Sequence, residues 1–97
     1  MNMPGSTTST REVYWVYVLR SERDRQHYIG YTVDLKTRLR QHFSGKSFST
    51  SYRGTVKLIY AEVCTCYSDA KRREKYLKTT GGRRFLAKRL KDYYKHT

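Results

Sequence analysis

The sequence predicts a single small α+β domain in which a three-stranded, largely antiparallel sheet is flanked by helices, in the order β-β-α-β-α-α. Three segments are rich in β-branched and aromatic residues, and three others repeat apolar residues at helical spacing. The length of 97 residues fits one domain. We expect residues 12–97 to form this domain and residues 1–11, which are small and polar, to form a flexible tail.

The strands are predicted from composition. Residues 13–19 consist only of Val, Tyr, Trp and Leu, and residues 27–31 are again aromatic and apolar. Because the stretch 21–26 between them is entirely polar and charged, the two segments predict a β-hairpin. Residues 56–63 predict a third strand.

The first helix is predicted over residues 34–43, because apolar or aromatic residues recur from Leu35 at i+4 and at i+7 or i+8. Thr32 or Asp34 can cap its start. Residues 44–54 are rich in serine and glycine and predict a loop.

A second helix is predicted to begin near Ser68, a plausible N-cap, and to run to about residue 79. Gly81 and Gly82 are expected to stop it. A last helix is predicted by the helical spacing of Phe85, Leu86, Leu90 and Tyr93 or Tyr94.

The charge of the chain indicates a polyanionic partner. Lysine and arginine number 21 against 8 acidic residues, which gives a formal net charge of +13. Composition alone also leaves open a basic structural protein. No apolar run approaches the ~20 residues of a membrane helix, and Cys64 and Cys66 are too few for a tetrahedral zinc site. We therefore expect a cytoplasmic protein with reduced thiols.

Glu74 is not explained by a purely structural role. Tyr67, Ala70, Glu74 and Leu77 are spaced as the buried stripe of an amphipathic helix. A carboxylate on this stripe needs a cation. It could form an ion pair with a nearby arginine, or it could bind a hard cation such as Mg²⁺, which often takes only one or two protein carboxylates.

Arg38 and His42 lie four residues apart on the first helix and therefore share a face at the edge of the core. Such a pair is either a solvated arginine beside a structural histidine, or a guanidinium that grips a phosphate beside a group that exchanges a proton near neutral pH. Tyr17 and Tyr28 add phenols on the two strands of the hairpin. Gly30 is expected to leave room for another backbone or a ligand.

These residues together resemble a known family. Val16-Tyr17-Val18 and Tyr28-Ile29-Gly30 are similar to the paired motifs of GIY-YIG nucleases, although Trp15 stands where the first motif has glycine. Arg38 and His42, ten and fourteen residues beyond Tyr28, resemble the family's helix. The resemblance extends to Thr50, to residues 58–62, and to Ala70, Arg73, Glu74 and Leu77-Lys78 of the glutamate helix.

The resemblance covers residues 13 to about 95 and is nearest to short bacterial proteins similar to the incision domain of the excision-repair nuclease. It implies hydrolysis of DNA phosphodiesters with one divalent ion, Mg²⁺ or Mn²⁺, bound by Glu74. It further implies that Arg38 binds phosphate, that Tyr17 acts as base with His42 as a proton relay or hydrogen-bond partner, and that Tyr28 orients the water or phosphate. The base role requires that surrounding cations depress the pKa of Tyr17.

DNA is the expected partner, with no membrane or small-molecule ligand. The residues expected to contact its backbone are Lys36, Arg40, Lys46, Arg53, Lys71, Arg72 and Lys75. Several family members carry an asparagine after the glutamate helix, whereas the only asparagine here is Asn2. This departure leaves open a module that binds nucleic acid without cutting it. A targeting protein partner is a further alternative, since 97 residues leave no room for a separate recognition domain.

Overall fold

The structure, a computed structural model, describes residues 12–44 and 55–97. β1 (Tyr14–Ser21) and β2 (His27–Thr32) form the expected hairpin, and β3 (Val56–Cys64) pairs with the other edge of β1. All pairings are antiparallel, and the strand order is β2-β1-β3. The predicted fold class is confirmed. The predicted tail, 1–11, lies outside the described residues.

The helices in the described part of the chain are α1 (Leu35–Phe43), α2 (Tyr67–Leu77), α3 (Thr80–Arg89) and α4 (Lys91–Lys95). The predicted last helix is therefore divided. It breaks at Leu90, whose backbone angles of φ −110° and ψ 33° are not helical. None of the helices described is long and apolar enough to cross a membrane.

Two details of the predicted second helix are wrong. Cys66, not Ser68, is the N-cap of α2, and Ser68 lies inside the first turn. Gly81 and Gly82 do not stop α2 but lie in the first turn of α3, which is capped by Thr79 through a 3.1 Å hydrogen bond from the Gly82 amide. The reason is steric, because a Cβ on Gly82 would collide with the backbone at the end of α2. The glycine lets α3 begin directly against that end.

The sheet buries side chains on both faces, because successive residues of central strand β1 point to opposite sides. On one side Tyr17, Leu19 and Val56 form a small cluster against which Leu35 and Leu39 of α1 pack, and we call this the α1 face. The opposite side, which we call the α2 face, is an apolar core shared with α2 and α3: Val16, Val18, Ala70, Leu77 and Leu86.

Candidate active site

Tyr17 occupies the middle of the sheet on the α1 face. Its neighbours across the two ladders are the smallest side chains available, Gly30 on β2 and Ala61 on β3. Only 5% of Tyr17 is exposed. The phenol ring can therefore lie flat across the sheet instead of standing out from it.

Gly30 explains this position of the ring. A Cβ built on Gly30 would lie 2.5 Å from the Tyr17 hydroxyl oxygen and 2.7 Å from its Cζ. The room that the glycine provides is thus taken by a side chain of the same sheet, and not by another backbone or by a ligand as we had expected. Gly30 sets where the hydroxyl of Tyr17 lies.

His42 completes a buried polar pair with Tyr17. It lies in the last turn of α1, a helix whose start is fixed by Asp34, since the Asp34 side chain accepts a 3.1 Å hydrogen bond from the Thr37 amide. The His42 Nε2 and the Tyr17 hydroxyl oxygen are 3.1 Å apart and form a hydrogen bond, with the two rings edge to face. His42 is 5% exposed, so water has little access to this contact.

The pKa values of Tyr17 and His42 shift in opposite directions. Burial raises the pKa of Tyr17, and the opposing effect of Arg38 does not cancel it, while Glu74 adds to the rise. Burial, followed by the charge of Arg38, lowers the pKa of His42 below its ordinary 6.5. The expectation that nearby cations depress the pKa of Tyr17 is therefore wrong for this structure. A neutral His42 faces a protonated Tyr17 at neutral pH.

Arg38 lies one helical turn before His42, on the exposed side of α1. Its Nη1 donates a hydrogen bond to the amide oxygen of Gln41 at 3.3 Å, a neutral partner. Its positive charge opposes the rise in the pKa of Tyr17 and contributes to the lowering of the pKa of His42. Tyr28 lies on the same face, opposite Leu19 in the hairpin register, and packs against the α1-face cluster.

Glu74 extends from α2 with a side chain that is only 16% exposed. Its Oε2 is 2.6 Å from the ammonium of Lys78, one turn further along the helix. The arginine partner expected from the sequence is wrong, because Arg73 pairs with Glu62 and Arg72 with Asp69. The i,i+4 spacing of Glu74 and Lys78 was the signal that could have identified the true partner.

The negative charge of Glu74 contributes to raising the pKa of two tyrosines of the β1–β2 hairpin. The pKa of Tyr31 is raised first by its hydrogen bond with Tyr67, with a smaller contribution from Glu74, and the pKa of Tyr17 is raised in part by Glu74. Tyr67 itself is 45% exposed and does not belong to the buried stripe predicted for α2.

The basic residues predicted to contact DNA do not form one cluster. Lys36 and Arg40 are exposed on α1, whereas Lys71, Arg72 and Lys75 are exposed on α2, which packs on the opposite face of the sheet. Arg72 is also engaged by Asp69 at 2.6 Å, although both side chains are well exposed. The remaining two, Lys46 and Arg53, lie outside the described residues, as does Thr50.

Comparison with known proteins decides the family. Residues 13–89 match the GIY-YIG catalytic domain. The chain belongs to the GIY-YIG family. This membership implies nuclease activity, with endonucleases as the general class.

The chain is similar to several UPF0213 proteins. A UPF0213 protein of Streptococcus pneumoniae is 45% identical over 65 residues, which is 66% of this chain and 65% of the relative. A UPF0213 protein of Staphylococcus haemolyticus is 36% identical over 67 residues, or 68% of this chain and 80% of the relative. The solution NMR structure of a UPF0213 protein from Bacillus halodurans is 29% identical, with a TM-score of 0.50 over 78% of this chain and 83% of that one.

The donor set of this GIY-YIG domain fits an ion that is shared with substrate. Within residues 12–44 and 55–97, no group of three or more His, Cys, Asp or Glu side chains could hold a metal on its own. Glu74 does attract a cation, because the Lys78 ammonium lies against it. A single half-buried carboxylate of this kind suits Mg²⁺ or Mn²⁺, which keep several waters and use substrate phosphates as further ligands.

Proposed function

We propose that this GIY-YIG domain is an endonuclease that hydrolyses DNA phosphodiester bonds with one divalent ion, Mg²⁺ or Mn²⁺. The observation that carries the proposal is the buried hydrogen bond between Tyr17 and His42. Two charges influence the pKa of Tyr17: Arg38, a cation suited to phosphate, and Glu74, a carboxylate suited to a metal.

Tyr17 and His42 act together in proton transfer. Because the pKa of Tyr17 is raised, its hydroxyl cannot lose a proton to bulk water at neutral pH at any useful frequency. Neutral His42, 3.1 Å away, can accept that proton. In our mechanism the Tyr17 oxygen takes a proton from the attacking water while its own proton passes to Nε2 of His42. Tyr17 is then the immediate base and His42 the final acceptor.

Arg38 and Tyr28 position the substrate. The exposed guanidinium of Arg38 binds a non-bridging oxygen of the phosphate that is attacked, where a fork of donors stabilises the charge that develops. Tyr28, two residues before Gly30 on β2, orients the water or the phosphate from the same face as Tyr17.

Glu74 holds the divalent ion in this proposal. When bound, the ion neutralises charge on the phosphate and stabilises the leaving 3′ oxygen. The carboxylate must exchange the Lys78 ammonium for that ion, or share itself between the two. Lys78 released from Glu74 is then free to contact a phosphate on the same strand.

DNA is the proposed substrate because the net charge of +13 favours a polyanion and because both α1 and α2 expose cations to solvent. Backbone contacts of this kind carry no sequence information, so a targeting protein partner would supply the choice of site. We place this reaction in the cytoplasm.

The test compares two glutamates that are alike except for their surroundings. Glu74 and Glu62 are both half-buried, at 16% and 22% side-chain exposure, and both pair with a cation. Plasmid nicking is measured with and without Mg²⁺ or Mn²⁺ in Glu74→Gln and Glu62→Gln. We expect Glu74→Gln to be folded and inactive, and Glu62→Gln to be less stable but active wherever it is folded. A Glu74→Gln protein that nicks at the wild-type rate would sink the metal-ligand role.

One observation favours a second candidate function. The ion pair of Glu74 with Lys78 would also serve a domain that binds nucleic acid without cutting it, in keeping with the missing asparagine. In that case Glu74→Gln lowers thermal stability, and neither Mg²⁺ nor Mn²⁺ changes the melting temperature of the wild-type protein. A rise in melting temperature with either ion that Glu74→Gln removes would exclude this candidate.

A further inference from the structure

A cavity of about 430 Å³ opens on the α2 face, between β2, the end of α2, α3 and α4. It is on the other side of the sheet from Tyr17 and His42. Its walls are apolar and are formed by Ile29, Leu77 and Leu86. This volume lies within the range of small-ligand sites, which commonly span about 300–1,000 Å³.

One end of the cavity is aromatic and polar. The His27 Nε2 and the Tyr94 hydroxyl oxygen are 2.8 Å apart, with the two rings tilted and their centroids at 6.1 Å. Burial first, and then the charges of Arg20 and Arg83, lower the pKa of His27, so its imidazole is neutral. A neutral imidazole and a phenol offer both donor and acceptor atoms at the edge of flat rings. A planar heteroaromatic group matches such an end.

The rim of the cavity is cationic. Lys78, Arg83 and Lys91 line it, and the lining side chains include no carboxylate. An apolar cavity with an aromatic end and three cations around its mouth is complementary to a flat base that carries a phosphate. It is less suited to an apolar peptide side chain, which would leave the three charges without a counterion.

Lys78 connects this cavity to the proposed catalytic carboxylate. It contacts Glu74, and it also borders a second depression along α2 that includes Lys71, Arg72 and Lys75. A strand whose phosphates follow these cations would pass Glu74 and reach the mouth of the cavity at Lys78.

We propose that the cavity receives one unstacked nucleobase of a DNA strand whose neighbouring phosphates lie on Lys78 and the exposed face of α2. This proposal rests on the proposed function and deepens it, because it assigns to the enzyme a substrate with an unpaired nucleotide on the strand that passes Glu74. Bases that have left the helical stack are bound by aromatic surfaces and by hydrogen bonds to their edges. The His27–Tyr94 end supplies both.

The experiment uses two fluorescent duplexes that differ only in one unpaired 2-aminopurine, a base whose emission depends on stacking. Binding of the full chain is measured by anisotropy in EDTA, so that cleavage plays no part. We expect the wild-type protein to bind the bulged duplex about tenfold more tightly than the paired one, the gain typical of one stacked base. The emission of 2-aminopurine should change as binding saturates.

Two adjacent arginines on α3 provide a matched control. Arg83 lines the cavity and Arg84 does not, although both are exposed and carry the same charge. Arg84→Met should weaken binding of both duplexes equally, whereas Arg83→Met should also reduce the preference for the bulge. Ala87→Trp places an indole at the cavity from an exposed wall position without changing charge, and should abolish the preference.

Equal affinity of the wild-type protein for both duplexes would overturn the proposal, as would a preference that survives both Arg83→Met and Ala87→Trp. The outcome is independent of catalysis. A preference for the bulge without nicking in Mg²⁺ or Mn²⁺ would reject the proposed nuclease and retain the base site. Nicking in Mg²⁺ or Mn²⁺ without a preference for the bulged duplex would retain the proposed nuclease and reject the base site.

Discussion

The two faces of the sheet bury their polar groups to different depths. On the α2 face the buried side chains are all apolar, and the ion pair of Arg73 with Glu62 lies at the margin, where the guanidinium stacks on Phe85 at 4.3 Å from the ring centroid. On the α1 face a phenol and an imidazole are buried and hydrogen-bonded to each other.

The difference points to a chemical role for the buried polar pair of the α1 face. Apolar burial on the α2 face contributes on the order of 25 cal/mol per Å² and holds the helices on the sheet. The Tyr17–His42 pair gains little net free energy, because its hydrogen bond mostly replaces bonds to water. A pair that stabilises so little, yet is positioned by both Gly30 and Ala61, is better explained by chemistry than by folding.

The comparison is tested most strongly by removing one hydroxyl from each face. Tyr17→Phe should lower the rate of DNA nicking by about 10²-fold or more, the usual contribution of a general base. The ring still packs on Leu19 and Val56, but the buried His42 Nε2 loses this partner, so we expect a loss of about 1–3 kcal/mol of stability with the fold retained. Rates are compared under single-turnover conditions in Mg²⁺ and in Mn²⁺.

Tyr60→Phe is the matched change on the α2 face, where the Tyr60 hydroxyl donates a 2.7 Å hydrogen bond to Glu62. We expect it to cost about 1 kcal/mol of stability and to leave nicking unchanged. Equal losses of activity in Tyr17→Phe and Tyr60→Phe would contradict the division between the faces. An active Tyr17→Phe would move the base role to His42 alone.

Gly30→Ala should reduce nicking by about tenfold, since its Cβ would push aside the hydroxyl of Tyr17, and a misplacement of ~1 Å at a reacting group can cost up to 10²-fold. Because the obstacle is the end of a side chain, stability should fall only slightly. In the double variant Gly30→Ala/Tyr17→Phe the activity should be no lower than in Tyr17→Phe alone. Fully additive losses would show that Gly30 acts through something other than Tyr17.

Gly82→Ala is the corresponding change on the α2 face, and here stability is measured instead of nicking. Alanine usually stabilises a helix by about 0.5–1 kcal/mol relative to glycine. Here its Cβ would meet the backbone of Tyr76 and Leu77, so we expect a loss of about 2 kcal/mol instead. Gly81→Ala is the control, because its nearest obstacle is the exposed ring of Tyr76 at 3.3 Å. Urea unfolding of both variants should give opposite signs.

The sequence predicted the fold because strand composition and helical spacing are local signals. Thr32 and Asp34 were both candidates for the cap of α1, and the structure selects Asp34. Gly81 and Gly82 failed as a stop signal, because glycine marks both the end of a helix and the close approach of two helices. The contact between α2 and α3 that decides between these roles is tertiary.

The candidate site was predictable only as a list of residue types. Spacing placed Arg38 and His42 on one helix face, but it did not show that His42 is buried against Tyr17. Burial also reversed the expected direction of the Tyr17 pKa shift, since desolvation outweighs Arg38. Both effects depend on how α1 packs on the sheet, which periodicity does not specify.

The smallest expected effect is a pH dependence of stability. One histidine on each face of the sheet contributes to it. The pKa of His42 on the α1 face and that of His27 on the α2 face are both lowered, mainly by burial. Below the ordinary value of 6.5 the unfolded chain therefore binds protons that the folded chain does not. The stabilisation is fully present above 6.5 and is lost as the pH falls through the folded pKa values.

Urea unfolding at several pH values between about 5 and 8 measures this dependence. His42→Gln and His27→Gln should each flatten part of the curve, and the double variant should flatten most of it, since the two sites lie on opposite faces and contribute independently. Nicking should rise over the same range in the wild-type protein, because only neutral His42 can accept the proton from Tyr17, and His42→Gln should remove this rise. A flat stability curve in the wild-type protein would mean that both imidazoles are more hydrated than their burial implies. A rise in nicking that begins only above the pKa of a free tyrosine, about 10, would instead make Tyr17 a base without a relay.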